Sequence, residues 1–374
     1  MMRFTIDREQ FLKGLTIAAK AIGSKSPIPV MSNVKIEMTE KGLLLTGSNT
    51  DLTIRTCVPY MIDNKEIIRD YTYGKTLVAN KYITEIIRRL EGAEVTFEII
   101  DDTIAKISDG KSDFKLNSVR AEEYPDIDVD LNGTIVEMDT EAFKTMIEQT
   151  AFAASTKSQR PILNALNLEA ENCQLVATAT DSARLAKKTI PLQSDEHFVA
   201  NVPAPVVVEV SRLLDGVKSL RVGVSVGKIV FELDNTLVVS RLSNGEYPNT
   251  KHIVPRAFSY FLEANAQELI AAMERVSLLS VERENVVKIS MSEDRVEVSS
   301  KSSQIGSAVE SISTFQYTGE RLEISFNSAY VAQAIRATKS EDVTLAFVGE
   351  MKPFVVKNVK DESLVQLVTP VRTY

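Results

Sequence analysis

Histidine and cysteine are scarce here, two of each in 374 residues. His197 and His252 stand far from each other and from either cysteine, so a tetrahedral metal site, a Ser-His-Asp triad or a Cys-His couple is hard to assemble. Cys57 and Cys173 form no CxxC pair and no disulfide framework, which suits a reducing cytoplasm, and each is expected as a small buried apolar residue. No apolar run approaches the roughly 18 residues of a membrane helix. The opening MMRFTIDREQFLKGL carries Arg3 and no uninterrupted apolar stretch, unlike a secretory signal. Also lacking are a GxxxxGK[ST] loop, a GxGxxG after a strand, a GxSxG elbow and a kinase signature. Asp101-Asp102 and Asp126-Ile127-Asp128 could hold a hard cation but read better as solvated turns. No catalytic residue, metal or cofactor is therefore expected. The net charge of −8 argues against nucleic acid, because affinity for DNA usually comes from Lys and Arg neutralising phosphates.

What is present is an ordered repetition. At 44% hydrophobic and 25% charged residues the chain is globular, and at roughly 100–200 residues per domain it should hold two or three domains. Three features recur in the same order. The first is an amphipathic helix: in 7–22 the stripe is Phe11, Leu12, Leu15, Ala18, Ala19 and Ile22; in 139–154 it is Phe143, Met146, Ile147, Thr150, Ala151 and Ala154; in 265–279 it is Leu269, Met273 and Val276. Asp7 with Gln10, and Asn265 with Glu268, have the spacing of capping boxes. The second is a short strand ending in Asn and leading into another helix: LVAN (77–80), FVAN (198–201) and ISFN (324–327). The first two of these helices run into Leu90-Glu91-Gly92 and Leu214-Asp215-Gly216, where glycine would accept a left-handed ending. The third is a set of alternating segments closing on Pro125, Pro248 and Pro370, the pattern of antiparallel strands.

Phe143 to Asn201 and Leu269 to Asn327 are both 58 positions apart, whereas Phe11 to Asn80 is 69. One unit repeated three times is the economical reading, over 1–127, 128–254 and 255–374, with an insertion within 56–76 of the first. Each unit would have two helices and about eight short strands, giving an α+β fold of helices packed on antiparallel sheets.

The stretch 160–186 is the most distinctive. Arg160, Leu163 and Asn164 are expected on a first strand, with Ala165 after them, and Ala179-Thr180-Asp181 and Arg184-Leu185-Ala186 are expected to close a second. By itself this is a hairpin turning at Glu171-Asn172, with Asp181 making a local turn. It resembles the central domain of the bacterial DNA polymerase III beta subunits, the processivity clamps, which read R-x-x-L-N-G and A-T-D-x-x-R-L-A here. The resemblance extends along the chain through Ile28-Pro29-Val30, Tyr247-Pro248, Phe326-Asn327 with Tyr330, and Thr369-Pro370-Val371-Arg372.

That resemblance implies a non-enzymatic homodimer, two chains joined head to tail into a ring of six DNA-clamp domains. Helices would line the hole, duplex DNA would thread it without sequence preference, and a loader would open it with ATP bound elsewhere. A threaded ring needs only local basic character, so the acidic remainder can face outward. Candidates on the helices' polar faces are Lys13, Lys20, Lys81, Arg88, Arg89, Arg212, Arg275, Arg336 and Lys339, each alternatively an ordinary solvated position; Lys25 and Lys157 match DNA-touching positions of the family. Short peptides of the polymerase, loader and repair proteins would enter a cleft between the second and third domains. Its lining would be Arg160, Leu163, Thr180, Ser182, Arg184, Leu185, Pro248, Ile253, Asn327, Tyr330, Met351, Pro353, Leu367, Val368, Thr369, Pro370, Val371 and Arg372. The chain departs from the family at Ser182-Ala183 (often Gly-His), His252 (often Arg), Thr369 (often Met) and in running on to Thr373-Tyr374. The dimer contact would set Lys111, Phe114 and Leu116 against Leu278 and Leu279 of the other chain, unless Leu278 is buried in its own domain. A repeat-built interaction scaffold without DNA threading is the competing reading, and a carboxylate-metal enzyme a more distant one.

Overall fold

The computed structural model describes residues 2–23, 28–157, 159–280 and 285–372, so Lys25 and Thr373-Tyr374 lie outside the described residues. Among the described residues six α-helices occur, two per repeat: α1 (Arg8–Ala19), α2 (Asn80–Arg89), α3 (Thr140–Thr150), α4 (Ala204–Leu213), α5 (Ala266–Ser277) and α6 (Ser328–Thr338). Among the described residues the strands number eleven, eight and nine in 1–127, 128–254 and 255–374. The extra strands of the first include the hairpin Met61–Ile62/Lys65–Glu66, inside the expected insertion.

The stripes are buried as their spacing requires. Phe11, Leu15 and Ala18 of α1, Phe143, Met146 and Ile147 of α3, and Leu269, Met273 and Val276 of α5 are buried. The caps are half as expected. Asp7 Oδ1 accepts from the backbone N–H groups of Glu9 and Gln10 (3.0 and 3.1 Å), and Asn265 Oδ1 from those of Gln267 and Glu268 (3.1 and 3.0 Å). The return arm is used elsewhere in α5: Glu268 accepts from the N–H groups of Ser313 (2.6 Å) and Thr314 (3.2 Å), pinning the turn before Phe315–Thr318. Burial alone would raise Glu268, but these contacts, Ser313 foremost, hold its carboxyl below the usual range.

The three recurring asparagines are not equivalent. Asn327 caps α6 through the Tyr330 N–H (3.1 Å), whereas Asn80 is already helical and accepts from Thr84 Oγ1 (3.0 Å). Asn201 sits three residues before α4, within the strand Phe198–Pro203, where its amide meets Asn167 (3.0 Å) and Gly245 O (3.1 Å). Nor do the glycines match. Gly216 takes the left-handed turn (φ 75°), but Gly92 does not; it sits so close to Asp109 that a Cβ would meet that residue's Cβ at 2.8 Å. The hairpin turn falls on Asn172-Cys173 (φ 53° and 56°), which leaves Cys173 exposed rather than buried; Cys57 is half-buried and burial pushes its thiol up.

By compactness the chain divides into two bodies, Met1–Thr140 with Arg212–Leu242, and Glu141–Ser211 with Ser243–Tyr374. The cut passes through the middle repeat because each of its sheets joins a neighbouring repeat edge to edge. In the first body Thr236–Arg241 pairs with Leu52–Val58 inside a 13-stranded sheet, sealed by a buried contact between the hydroxyls of Thr56 and Thr236 (2.8 Å). In the second, Arg184–Pro191 pairs with Leu364–Val368 inside a nine-stranded sheet. A four-stranded sheet, Gly306–Ser311, Arg295–Ser302, Val286–Ser292 and Leu322–Asn327, completes the second body.

Two buried glutamines fasten the second joint. Gln366 Nε2 donates to the Gln149 carbonyl (2.7 Å), and Gln149 Nε2 donates to the Ala337 carbonyl (2.8 Å). Both acceptors lie in the last turns of α3 and α6, where helical carbonyls have no partner within the helix. Gln366→Ala should therefore cost about 1–3 kcal/mol, the penalty of an unmade buried hydrogen bond, read as a lower urea midpoint. An unchanged midpoint would mean that water replaces the amide.

Candidate functional site

The second joint carries most of the expected cleft. At its end Arg184 faces Val368 and Leu185 faces Leu367. The turn before this strand is built on Asp181, whose Oδ1 accepts from the N–H groups of Ala183 (2.9 Å) and Arg184 (3.0 Å). It drives Ser182 to φ 80°, a conformation glycine takes readily and other residues resist. Thr180 Oγ1 accepts from the Ser182 N–H (3.1 Å), and the Thr180 N–H donates to Tyr247 Oη (3.1 Å). Burial pushes the Tyr247 phenol up to about 12.

From the other side, the Thr369 N–H and hydroxyl both donate to Ala183 O (2.9 and 2.8 Å), and the Val371 N–H donates to Ser325 O (2.7 Å). Contacts thus tie Thr180, Ser182, Arg184, Tyr330 and Thr369 together, while Val371 is held separately by Ser325. Met351 (49% exposed), Val371 and Arg372 line one cavity with Ile324 and Ser325, beside the Lys288–Glu323 ion pair (2.9 Å). Pro353 and Pro370 are half-buried. Pro248 borders a separate hollow with Asn201 and Tyr247; Ile253 and Arg160 are exposed.

Five of the expected lining residues, Thr180 (8% exposed) among them, are wall rather than surface. Leu163 and Val368 are buried, and Leu185 and Leu367 close a small cluster with Val355, backed by Val254 and Phe258. Asn327 is engaged as the α6 cap and Thr369 by Ala183. Sequence reasoning passed over Phe152 and Gln333, both of which meet Arg184, whose guanidinium carbon lies 4.3 Å from the Tyr330 ring centroid. Nothing local marked them; Gln333 is 149 positions from Arg184. Burial, and then the nearby Asp181 carboxylate, raise the Tyr330 phenol.

The expected DNA-facing cations that are described are all exposed. Several are paired: Arg88 and Arg89 with Glu85, Arg275 with Glu310, Arg336 with Glu274 and Lys339 with Glu148. Arg275 Nε reaches Glu310 on Gly306–Ser311 at 2.9 Å, which directs it toward that strand. Among the described residues Lys13, Lys81 and Lys157 show no ion pair, Lys81 lying 5.8 Å from the Tyr82 ring centroid; Lys20 and Arg212 are exposed on α1 and α4.

The expected dimer residues lie at surfaces. Lys111 is exposed and reaches Glu91 (3.7 Å), Phe114 is 39% exposed, and Leu116 packs partly on the core of the first body. Leu278 is 78% exposed, so burial in its own domain is excluded, and Leu279 is half-buried. Phe114 and Leu116 belong to Asp113–Val119, which pairs with Ile104–Ser108 on one side and on the other only through Ser118 and Val119. Among the described residues its edge over 113–117 is open. Among the described residues Gly306–Ser311 likewise pairs on one side only, with Arg295–Ser302, and exposes Val309 (63%). These strands occupy the repeat positions that make the two joints inside the chain: Asp113–Val119 corresponds to Thr236–Arg241 and Leu364–Val368, and Gly306–Ser311 to Leu52–Val58 and Arg184–Pro191. The second open strand was missed because GSAVES has little apolar alternation.

Of the acidic clusters Asp101-Asp102 is a turn, whereas Asp126-Ile127-Asp128 is irregular linker with both carboxylates exposed. Asp101 and Asp102 are both left-handed (φ 52° and 58°), and Asp128 meets Lys228 (2.7 Å), which holds its carboxyl below the usual range. Among the described residues no group of three or more His, Cys, Asp or Glu is arranged to hold a metal, and no helix is long and apolar enough to cross a membrane.

Comparison with known proteins gives one answer over the full length. Residues 2–128, 137–249 and 251–372 match the family profiles of the DNA polymerase III beta subunit N-terminal, central and C-terminal domains. The beta sliding clamp of Bacillus subtilis is 34% identical over 378 residues, covering 100% of both chains. The crystal structure of the Bacillus subtilis DNA polymerase sliding clamp superposes with a TM-score of 0.95 at 33% identity, and that of the DNA polymerase III beta chain of Streptococcus pneumoniae with 0.95 at 31%, each covering 100% of both chains. The chain, with its three clamp domains, belongs to the bacterial DNA polymerase III beta subunit family.

Proposed function

We propose that this protein is a DNA sliding clamp, which encircles duplex DNA and tethers the replicative polymerase and other DNA-processing proteins without itself making or breaking a bond. The repeat carries this reading. Three units in a row use two of their edge joints within the chain and leave one open strand of each kind, Asp113–Val119 and Gly306–Ser311. Each open strand is completed by the complementary strand of a second chain, which is a head-to-tail contact and covers both of these open edges when two chains close on each other. Phe114 and Leu116 would lie at this contact with Val309, and Leu278 and Leu279 beside it. The domains run over 1–127, 128–254 and 255–374, and the site of action is the cytoplasm.

DNA is held by topology more than by affinity. The internal pairing of Arg88, Arg89, Arg336 and Lys339 fits this, since a carboxylate beside each cation weakens the pull on phosphate and lets the ring slide. Lys13, Lys20, Lys25, Lys81, Lys157 and Arg212 supply the basic character. Partner peptides enter beside Tyr330, Met351, Pro370, Val371 and Arg372, where apolar walls meet a few polar groups.

After loading, the protein should stay on closed circular DNA and leave within minutes of the circle being cut, followed by gel filtration of the labelled complex. Equal retention on cut and closed DNA would leave only the scaffold reading.

A further inference from the structure

Arg184 is expected to line the cleft, and a cleft arginine ordinarily reads a carboxylate on the incoming peptide. Its surroundings leave it little freedom to do so. The side chain is 11% exposed and that of Asp181 12%. Nε donates to Asp181 Oδ2 (3.0 Å), one terminal nitrogen donates to the Phe152 carbonyl (2.6 Å), and the other donates to Gln333 Oε1. The guanidinium carbon lies 4.3 Å from the Tyr330 ring centroid and 5.4 Å from that of Phe152. Asp181 and Phe152 come from the central repeat, Tyr330 and Gln333 from one face of α6, three residues apart. The cation is therefore already neutralised, and its fork and ring faces are spent on joining the two walls.

We propose that Arg184 is a positioning residue, which fixes the Tyr330 ring and the separation of the cleft walls instead of reading charge on the partner. This rests on the peptide-cleft reading above and deepens it. A partner carboxylate would meet an ion pair of no net charge, so the cleft selects by apolar shape. The Tyr330 N–H is tied to the α6 cap, so the backbone under the ring is fixed, and the ring's own setting depends on what it stacks against.

Lysine at this position separates the two roles, because it keeps the charge beside Asp181 but loses the planar fork and the stack. The probe is the catalytic subunit of the cell's replicative polymerase, and the full-length dimer is immobilised. Arg184→Lys should weaken binding about tenfold, as should Tyr330→Ala. The double variant should be no weaker than either, because both remove the same placed ring. The slope of affinity against salt should match that of the unaltered protein. Retained affinity in Arg184→Lys, additive losses in the double variant, or a shallower salt slope would each overturn the proposal. Gln333→Leu, at an exposed position, should give a smaller loss in the same direction and guards against misfolding of the buried variants; full affinity there also counts against it. If the unaltered protein does not bind the polymerase, or binds it equally well with Pro370 and Val371 replaced by acids, the cleft reading fails first and is distinguished by that result.

Discussion

A protein carrying Pro370→Glu and Val371→Asp should lose polymerase binding by at least about 100-fold and remain a dimer. Both residues are half-buried, and Val371 lines a cavity with Ile324 and Met351 while its N–H holds Ser325 O (2.7 Å). A carboxylate there would be desolvated by an apolar partner side chain. A buried polar group without a partner costs roughly 2–7 kcal/mol, and about 2.8 kcal/mol already corresponds to 100-fold. The strand contacts proposed for dimerisation lie on other residues, so light scattering should still give the dimer mass. Unchanged affinity would show that the cleft is elsewhere.

The dimer contact predicts an effect as large. Phe114→Asp alone should give a monomer, and so should Val309→Asp, since a head-to-tail dimer contains two identical contacts and each variant spoils both. Mixed together, the two variants should associate again. One contact then combines both aspartates, while the other has an intact Phe114 facing an intact Val309. Light scattering of the mixture checks this directly. A mixture that stays monomeric would mean that the two strands do not meet. Neither substitution should damage the core, because the two side chains are 39% and 63% exposed.

What could be read in the sequence was whatever repeats or alternates. The six helices, the buried stripes and the caps at Asp7 and Asn265 follow from local spacing, because burial of one helical face is a local constraint. The cleft was legible mainly through resemblance. Its supports were not: Phe152 and Gln333 meet Arg184 only after two repeats join through Arg184–Pro191 and Leu364–Val368. Charge pairing was equally hidden, since Glu310 reaches Arg275 across 35 positions and Lys339 reaches Glu148 across 191. A cation's identity is local, whereas its neutralisation is a property of the fold. Cys173 was misplaced because the hairpin turned one residue later than expected, which moved it to the tip.

The linkers after the first and second repeats are not slack. Val129, with Ile127 and Leu131 packed against it, is buried on Val230 and Val239, and Val254 and Phe258 pack on Leu185, Val355 and Leu367. Pinned tethers hold the strands of the two internal joints at an effective concentration that no dilution changes. The joint between chains has no such tether, so in a two-chain ring it is the weak link by construction. Opening one of the two leaves the other closed, and the separated strands still belong to a single particle. Closing again is then a first-order event, independent of how many clamps the cell contains. A loader need only pry open a single strand edge, and can leave resealing to the protein itself.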